Sequence, residues 1–291
     1  MKTEIFSKGL YSTYIYLKSL NSAFDCGEGL STTLGPRCFG IQKLFISHGH
    51  IDHISGIAPL IGIRSAGFGD KSTPLTVYYP KGSAPIENLI GYINTMRKPK
   101  FDLSWQAIEP DTKIDLGNNR FVVPFEVEHC QGSLGFSIIE KREKLKEEFT
   151  KLLGNEIKKI KESGVSIVEQ KEHIIWAYSG DASSLPIEKI KGADWLFCDT
   201  TFLKEGDRDE KTHMTLNEAI KYAKEADIKR LVAMHISPRY SYQDIKCANS
   251  ALLKELPESR MVLPDKIQRI EKDFEKKEIR KSLTEDIKML D

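Results

Sequence analysis

A chain of 291 residues with 40% hydrophobic content is long enough to bury one sizeable core. No apolar run approaches the ~20 residues that a helical span needs, which excludes a helical membrane protein, and no signal-like segment precedes Phe6. With 43 basic against 42 acidic side chains the formal charge is +1, so bulk charge gives no support for a nucleic-acid partner.

Near the amino end, Asp25 and Gly27-Glu28-Gly29 follow an apolar strand, and the glycines permit close backbone approach in a tight turn. Ser31-Thr32-Thr33 reads as an ordinary helix start, although its hydroxyls could also meet phosphates. Gln42–Ser47 is β-rich and apolar, and Ile54–Leu60 begins a helix-like segment. Between them, His48-Gly49-His50-Ile51-Asp52-His53 packs three imidazoles and a carboxylate into a strand-to-helix turn. Neutral imidazole nitrogen and carboxylate oxygen suit Zn²⁺, whereas a solvated polar turn accounts poorly for three histidines. His48 and His50 can point one way while Asp52 and His53 reach another, so one hexapeptide can serve two adjacent metals.

Further along, His129 ends the strand-like run 121–128, Asp181 follows the apolar run His173–Tyr178 through Ser179-Gly180, and His235 ends Arg230–Met234. Each candidate donor lies just beyond a strand, where loops of layered α/β folds gather into a site. The segment 140–163 carries eight Lys or Arg against six Glu, with Leu145, Phe149, Leu152, Ile157 and Ile160 at roughly helical spacing, and reads as an inserted helical segment. His213-Met214-Thr215 precedes Leu216–Ile220 and can serve as a helix cap. A second charged amphipathic stretch runs from Lys266 to Asp291. Five cysteines, Cys26, Cys38, Cys130, Cys198 and Cys247, are odd in number and lack zinc-finger spacing, which fits a reducing cytoplasm. Cys26, Cys130 and Cys198 adjoin Asp25, His129 and Asp199, and strand alternation turns these thiols toward the core.

The hexapeptide, His129, Gly180-Asp181-Ala182 and His235 together resemble the metallo-β-lactamase superfamily, which implies an α/β fold, a four-layer αββα sandwich, with a two-zinc site. Within it the chain is most similar to ribonuclease Z, through Phe24–Gly29, Pro74–Gly82, Ser133–Phe136 and His235–Tyr240, over about residues 6–240. The resemblance implies His48, His50 and His129 on one metal, Asp52, His53 and His235 on the other, and Asp181 bridging. It implies Asp52 as the group that orients or deprotonates the attacking water. It also implies an Asp199–His213 couple that delivers a proton to the leaving 3′ oxygen. Here the chain departs from the family, which usually carries Glu at Asp199 and Ser at Met214. It also lacks most of the longer strand and Gly-rich turn that precede Ser12–Leu17 in relatives.

The expectation is thus a single domain over 1–291 with an inserted helical arm at about 140–172, the position where ribonuclease Z carries its tRNA-gripping arm. The chain is expected to be a cytoplasmic, homodimeric endoribonuclease. It would use two Zn²⁺, or other divalent metals such as Mn²⁺, to remove the 3′ extension of precursor tRNA. The alternatives are a phosphodiesterase for a small or cyclic phosphodiester, which needs no arm, and a metal-stabilised RNA-binding protein without turnover.

Overall fold

Two seven-stranded sheets lie face to face in the computed structural model, which describes residues 2–270 apart from Arg97, Lys151 and Asp209. The first holds β1 (Thr3–Lys8), β2 (Ser12–Leu17), β3 (Ser22–Phe24), β4 (Lys43–Phe45), β5 (Leu75–Pro80) and β6 (Leu103–Ile108), in that order. The second holds β7 (Ile114–Gly117), β8 (Arg120–Glu126), β9 (Leu134–Leu145), β10 (Val168–Tyr178), β11 (Leu196–Asp199), β12 (Leu231–Met234) and β13 (Arg260–Met261). A last strand, β14 (Gln268–Ile270), returns to the first sheet beside β1, with Ile270 opposite Thr3. The two sheets share one plan, beginning antiparallel and turning parallel from β3 and from β10 onward.

β2, β11 and β12 are buried along their whole length, as expected of apolar strands covered on both faces. Between the sheets, Phe24 stacks on Phe45 at 5.0 Å and meets Trp176 at 4.5 Å, with Phe136 and Phe197 filling the same layer. Outside the first sheet pack α1 (Leu30–Leu34), α2 (Ile51–Ile54), α3 (Ile57–Gly67) and α4 (Ala84–Thr95). α5 (Gly154–Glu162) stands apart on the insert, while α6 (Ile187–Ile190), α7 (Leu216–Glu225) and α8 (Tyr242–Glu255) cover the second sheet. This is the four-layer αββα sandwich. No helix among the described residues is long and apolar enough to cross a membrane.

The insert differs from the expected helical arm. β9 and β10 stay paired from Phe136–Tyr178 out to Leu145–Val168, and a backbone bond from Lys146 N to Ile167 O (2.9 Å) closes the ladder. Residues 140–145 and 168–172 are therefore strand, and helix is confined to a 3-10 turn at Glu147–Phe149 and to α5. Half-buried Ile157 and Ile160 give α5 its helical period, but the flanking residues satisfy their backbone groups across the hairpin instead. The amphipathic reading of 266–291 lies mostly outside the described residues. Within them, Gln268–Ile270 is strand, with Ile270 buried between the layers while the backbone extends the sheet edge.

Candidate metal centre

β4 ends at Phe45, and the chain beyond it is steered by Asp25, whose Oδ1 accepts from Ser47 N at 2.7 Å. His48 and His50 follow in extended backbone, and α2 then opens with His50 as its N-cap and Asp52 and His53 in its first turn. Cys26 N donates to His53 O at 2.8 Å, which ties that turn to the end of β3. Gly27 is what lets the two backbones meet: a Cβ there would stand 2.3 Å from the Asp52 carbonyl.

The loops after β8, β10 and β12 bring His129, Asp181 and His235 to the same rim. β8 and β10 are both antiparallel to β9 and so point the same way, and β11 and β12 are parallel to β10. Gly180, at φ +62°, makes the sharp turn that delivers Asp181. Asp181 Oδ2 then faces four imidazole Nε2 atoms, those of His53 (3.3 Å), His235 (3.4 Å), His48 (3.7 Å) and His129 (3.8 Å). His50 Nδ1 lies 3.1 Å from His129 Nε2, and Asp52 Oδ2 lies 3.2 Å from His235 Nε2 and 3.5 Å from His53 Nε2. The donors fall into three overlapping groups, His48/His50/His129/Asp181, Asp52/His53/Asp181/His235 and Asp181/Asp199/His213/His235, each with its ligand atoms within 4.8 Å of one another. Asp181 belongs to all three and is the one residue that the first two share.

The outward nitrogens decide the tautomers. His53 Nδ1 donates to Asp25 Oδ2 (2.8 Å), and Ser47 Oγ, itself donating to Asp25 Oδ2, accepts from His48 Nδ1 (3.0 Å). His129 Nδ1 donates to the Thr212 carbonyl at 2.9 Å. His235 Nδ1 donates to Thr201 Oγ1 at 2.9 Å, and that hydroxyl donates to Asp199 Oδ1 at 2.7 Å. Four rings are thereby held with the Nε2 lone pair turned inward, the arrangement that metal-binding histidines adopt. His48 Nε2 and His53 Nε2 are fully buried without a hydrogen-bond partner. At His48, which burial keeps neutral, such a lone pair is costly unless a cation fills the space. The donor set therefore fits a pair of divalent metals.

Electrostatics point the same way. Burial opposes charge on His53 and His235, yet Asp181, with Asp25 at His53 and Asp52 at His235, outweighs it and raises both pKa values above the usual imidazole range. Burial lowers those of His48 and His50. Burial also works against the charged forms of Asp181 and Asp52, but the surrounding histidines hold both carboxyls far below the usual range. Two buried carboxylates, beside two rings kept neutral and two that hold protons in the absence of a metal, make a centre whose charge suits a cation.

Beside this cluster His213 Nδ1 donates to Asp199 Oδ2 at 2.7 Å, and the His213 ring lies over those of His129 (4.7 Å) and His235 (5.4 Å). Burial disfavours its charged form, but Asp199 prevails and lifts its pKa to about 9. The cap of α7 belongs to Thr215, whose Oγ1 accepts from Glu218 N, so the His213 side chain is spent on the site rather than on the helix. The seventh histidine, His173, stands apart in a contact with Asp194. The partners Ser47, Tyr178, Thr201 and Thr212 were not legible as site residues. Tyr178, whose hydroxyl donates to Asp25 Oδ2 at 2.6 Å, reads in sequence as one more apolar strand position. Cys26 and Cys198 are fully buried in the helix-facing cores, as expected, whereas Cys130, in the loop after β8, is only half-buried and turns its Sγ to the Ser133 hydroxyl at 3.1 Å.

Comparison with known proteins yields three findings. The family model described as a beta-lactamase superfamily domain matches residues 23–236. A ribonuclease Z from Methanosarcina mazei is 32% identical over 256 residues, covering 78% of this chain and 81% of the relative, and one from Listeria monocytogenes is 32% identical over 269 residues, covering 80% and 85%. Among solved structures, the short form of human tRNase Z superposes with a TM-score of 0.66 at 20% identity, covering 94% of this chain and all of that one, a likeness of fold.

Proposed function

This chain belongs to the ribonuclease Z family of the beta-lactamase superfamily, and on that premise we propose that it is an endoribonuclease that removes the 3′ extension of precursor tRNA with two zinc ions. The observation that carries the proposal is the pair of donor groups joined at Asp181, since a shared carboxylate brings two cations to neighbouring positions. His48, His50 and His129 would hold one ion, Asp52, His53 and His235 the other, and Asp181 both. Bound there, the pair would supply Lewis acidity toward the scissile phosphate and a nucleophilic water at neutral pH.

The chain's own groups supply the rest. Asp52, fully ionised and so a weak base, orients the attacking water through its carboxylate. His213, partly open to solvent and with its charged form favoured by the Asp199 carboxylate on Nδ1, donates its Nε2 proton to the departing 3′ oxygen, leaving a 3′-hydroxyl on the tRNA. Asp199 fixes the ring through Nδ1 and stabilises its charge. The side chain is one methylene shorter than the family's usual Glu, yet it reaches His213 at 2.7 Å. Zinc follows from the imidazole-rich donor set. A cytoplasmic location is supported by five free cysteines, and the homodimer by the family resemblance alone.

The test is joint. Protein purified without chelator should contain two divalent metals per chain, mostly zinc, and should release the trailer from a precursor tRNA. One metal or none, or a fully loaded protein that leaves the precursor intact, would overturn the proposal.

A further inference from the structure

The loop between β11 and α7 contains a half-buried ion pair that no metal donor touches. Arg208, its side chain 6% exposed, lays its guanidinium against Glu218 in a two-pronged contact, Nη1 to Oε2 at 2.7 Å and Nη2 to Oε1 at 2.9 Å. Nη1 also donates to the carbonyl oxygen of His213 at 2.9 Å, and Nη2 meets the exposed Glu205. Glu218 is anchored in its turn, accepting from Thr215 N (2.9 Å) and Thr215 Oγ1 (3.1 Å) in the capping box of α7. A single guanidinium thus ties the His213 backbone to the first turn of a helix packed on the second sheet.

Solvated ion pairs contribute little, but a bidentate pair whose guanidinium is shielded from solvent is geometrically specific. The helix cap does not need Arg208, because Thr215 and Glu218 complete it themselves. What Arg208 adds is a hold on His213, whose ring must keep Nδ1 on Asp199 while Nε2 reaches the substrate. The same loop supplies the Thr212 carbonyl that orients His129.

We propose that Arg208, through its fork to Glu218, is the positioning residue that sets His213 for proton delivery. The inference rests on the reading of His213 as proton donor, and the test separates the two. Arg208→Ala, His213→Ala and the double variant are assayed on precursor tRNA and on an activated aryl phosphodiester, whose leaving group scarcely needs a proton. Arg208→Ala should lower kcat on tRNA about tenfold or more, with KM little changed, and the aryl ester rate by less than about threefold. Adding it to His213→Ala should cost nothing further, since the two act as a unit. Arg208→Lys should fail to rescue, because an ammonium cannot hold both Glu218 oxygens and the His213 carbonyl in the same fork. If Arg208→Ala does not fold, as judged by melting and metal content, Glu218→Gln replaces it and carries the same expectations.

Equal losses on both substrates, or losses that add to those of His213→Ala, would overturn the inference while leaving the proton donor in place. A His213→Ala protein that cleaves tRNA normally would overturn the donor and the inference together.

Discussion

Asp25 stands behind the metal donors, yet it organises two of the five rings. Its Oδ2 takes His53 Nδ1, the Ser47 hydroxyl and the Tyr178 hydroxyl, while Oδ1 takes Ser47 N, so every lone pair that the fold can reach is used. Burial first, and then the Asp25 charge, keep Tyr178 protonated as a donor. The backbone at Asp25 is left-handed, φ +55°, as is that of His235 at φ +61°, and strain of this kind persists where surrounding contacts over-determine it. Asp25→Ala should leave His53 free to turn and weaken metal affinity by about 10–100-fold. Competition with a chromophoric chelator measures this, and an unchanged Kd would show that the carboxylate does not orient the ring. The acidic turn was readable in the sequence. Its partner Tyr178, 153 residues away, was not.

The insert is the element whose function depends most on geometry. Its helical spacing in sequence is realised only in α5, because a strand is recognised by its partner, and β10 begins more than twenty residues after β9 ends. The hairpin root also has a structural duty: Glu140 accepts from Arg120 Nε at 2.7 Å and from Arg142 Nε. An informative excision therefore leaves the paired strands and replaces 146–167 with a short Gly/Ser turn. The piece removed carries Lys146, Lys158, Lys159 and Lys161 and the exposed Leu153, and the metal donors lie outside it. If the arm grips the tRNA body, KM for precursor tRNA should rise steeply, while hydrolysis of a small phosphodiester should stay near its original rate. Removing lysines that neutralise phosphates should also flatten the dependence of log affinity on log salt, by about one unit for each phosphate that regains its counterion. Undiminished tRNA processing by the folded variant would shift weight to a small-phosphodiester substrate.

For the molecule as a whole, metal and proton compete for one buried centre. In the metal-free protein His53 and His235 hold protons more tightly than a free imidazole, for which the reference value is 6.5. Their contribution to apo stability is then full below about 6.5 and is lost as the pH rises through the raised values. A bound cation must displace those protons, so divalent-metal affinity should increase with pH, and loading near neutrality should release protons. Calorimetry in buffers of different ionisation enthalpy counts them, and a count near zero would contradict the pKa pattern. Chelation should in turn lower the Tm, because the metal stabilises only the folded donor set.

The sequence by itself determined the residue types and local spacings: three imidazoles and a carboxylate in six residues, single donors just past three further strands, and an Asp and a His near one helix start. Metal ligation and proton transfer demand specific atoms, and strand ends with turn residues are local signals, so these were legible. The sandwich, and Asp181 as the shared donor, were expected only through the family resemblance that these motifs carry. Only the tertiary structure decided which nitrogen of each ring turns inward, that the insert is a hairpin, and that Arg208 reaches the His213 backbone. Each of these depends on partners brought together by sheet pairing and helix packing. Such long-range contacts are selected by the energy of the whole core, and no local pattern in the chain encodes them.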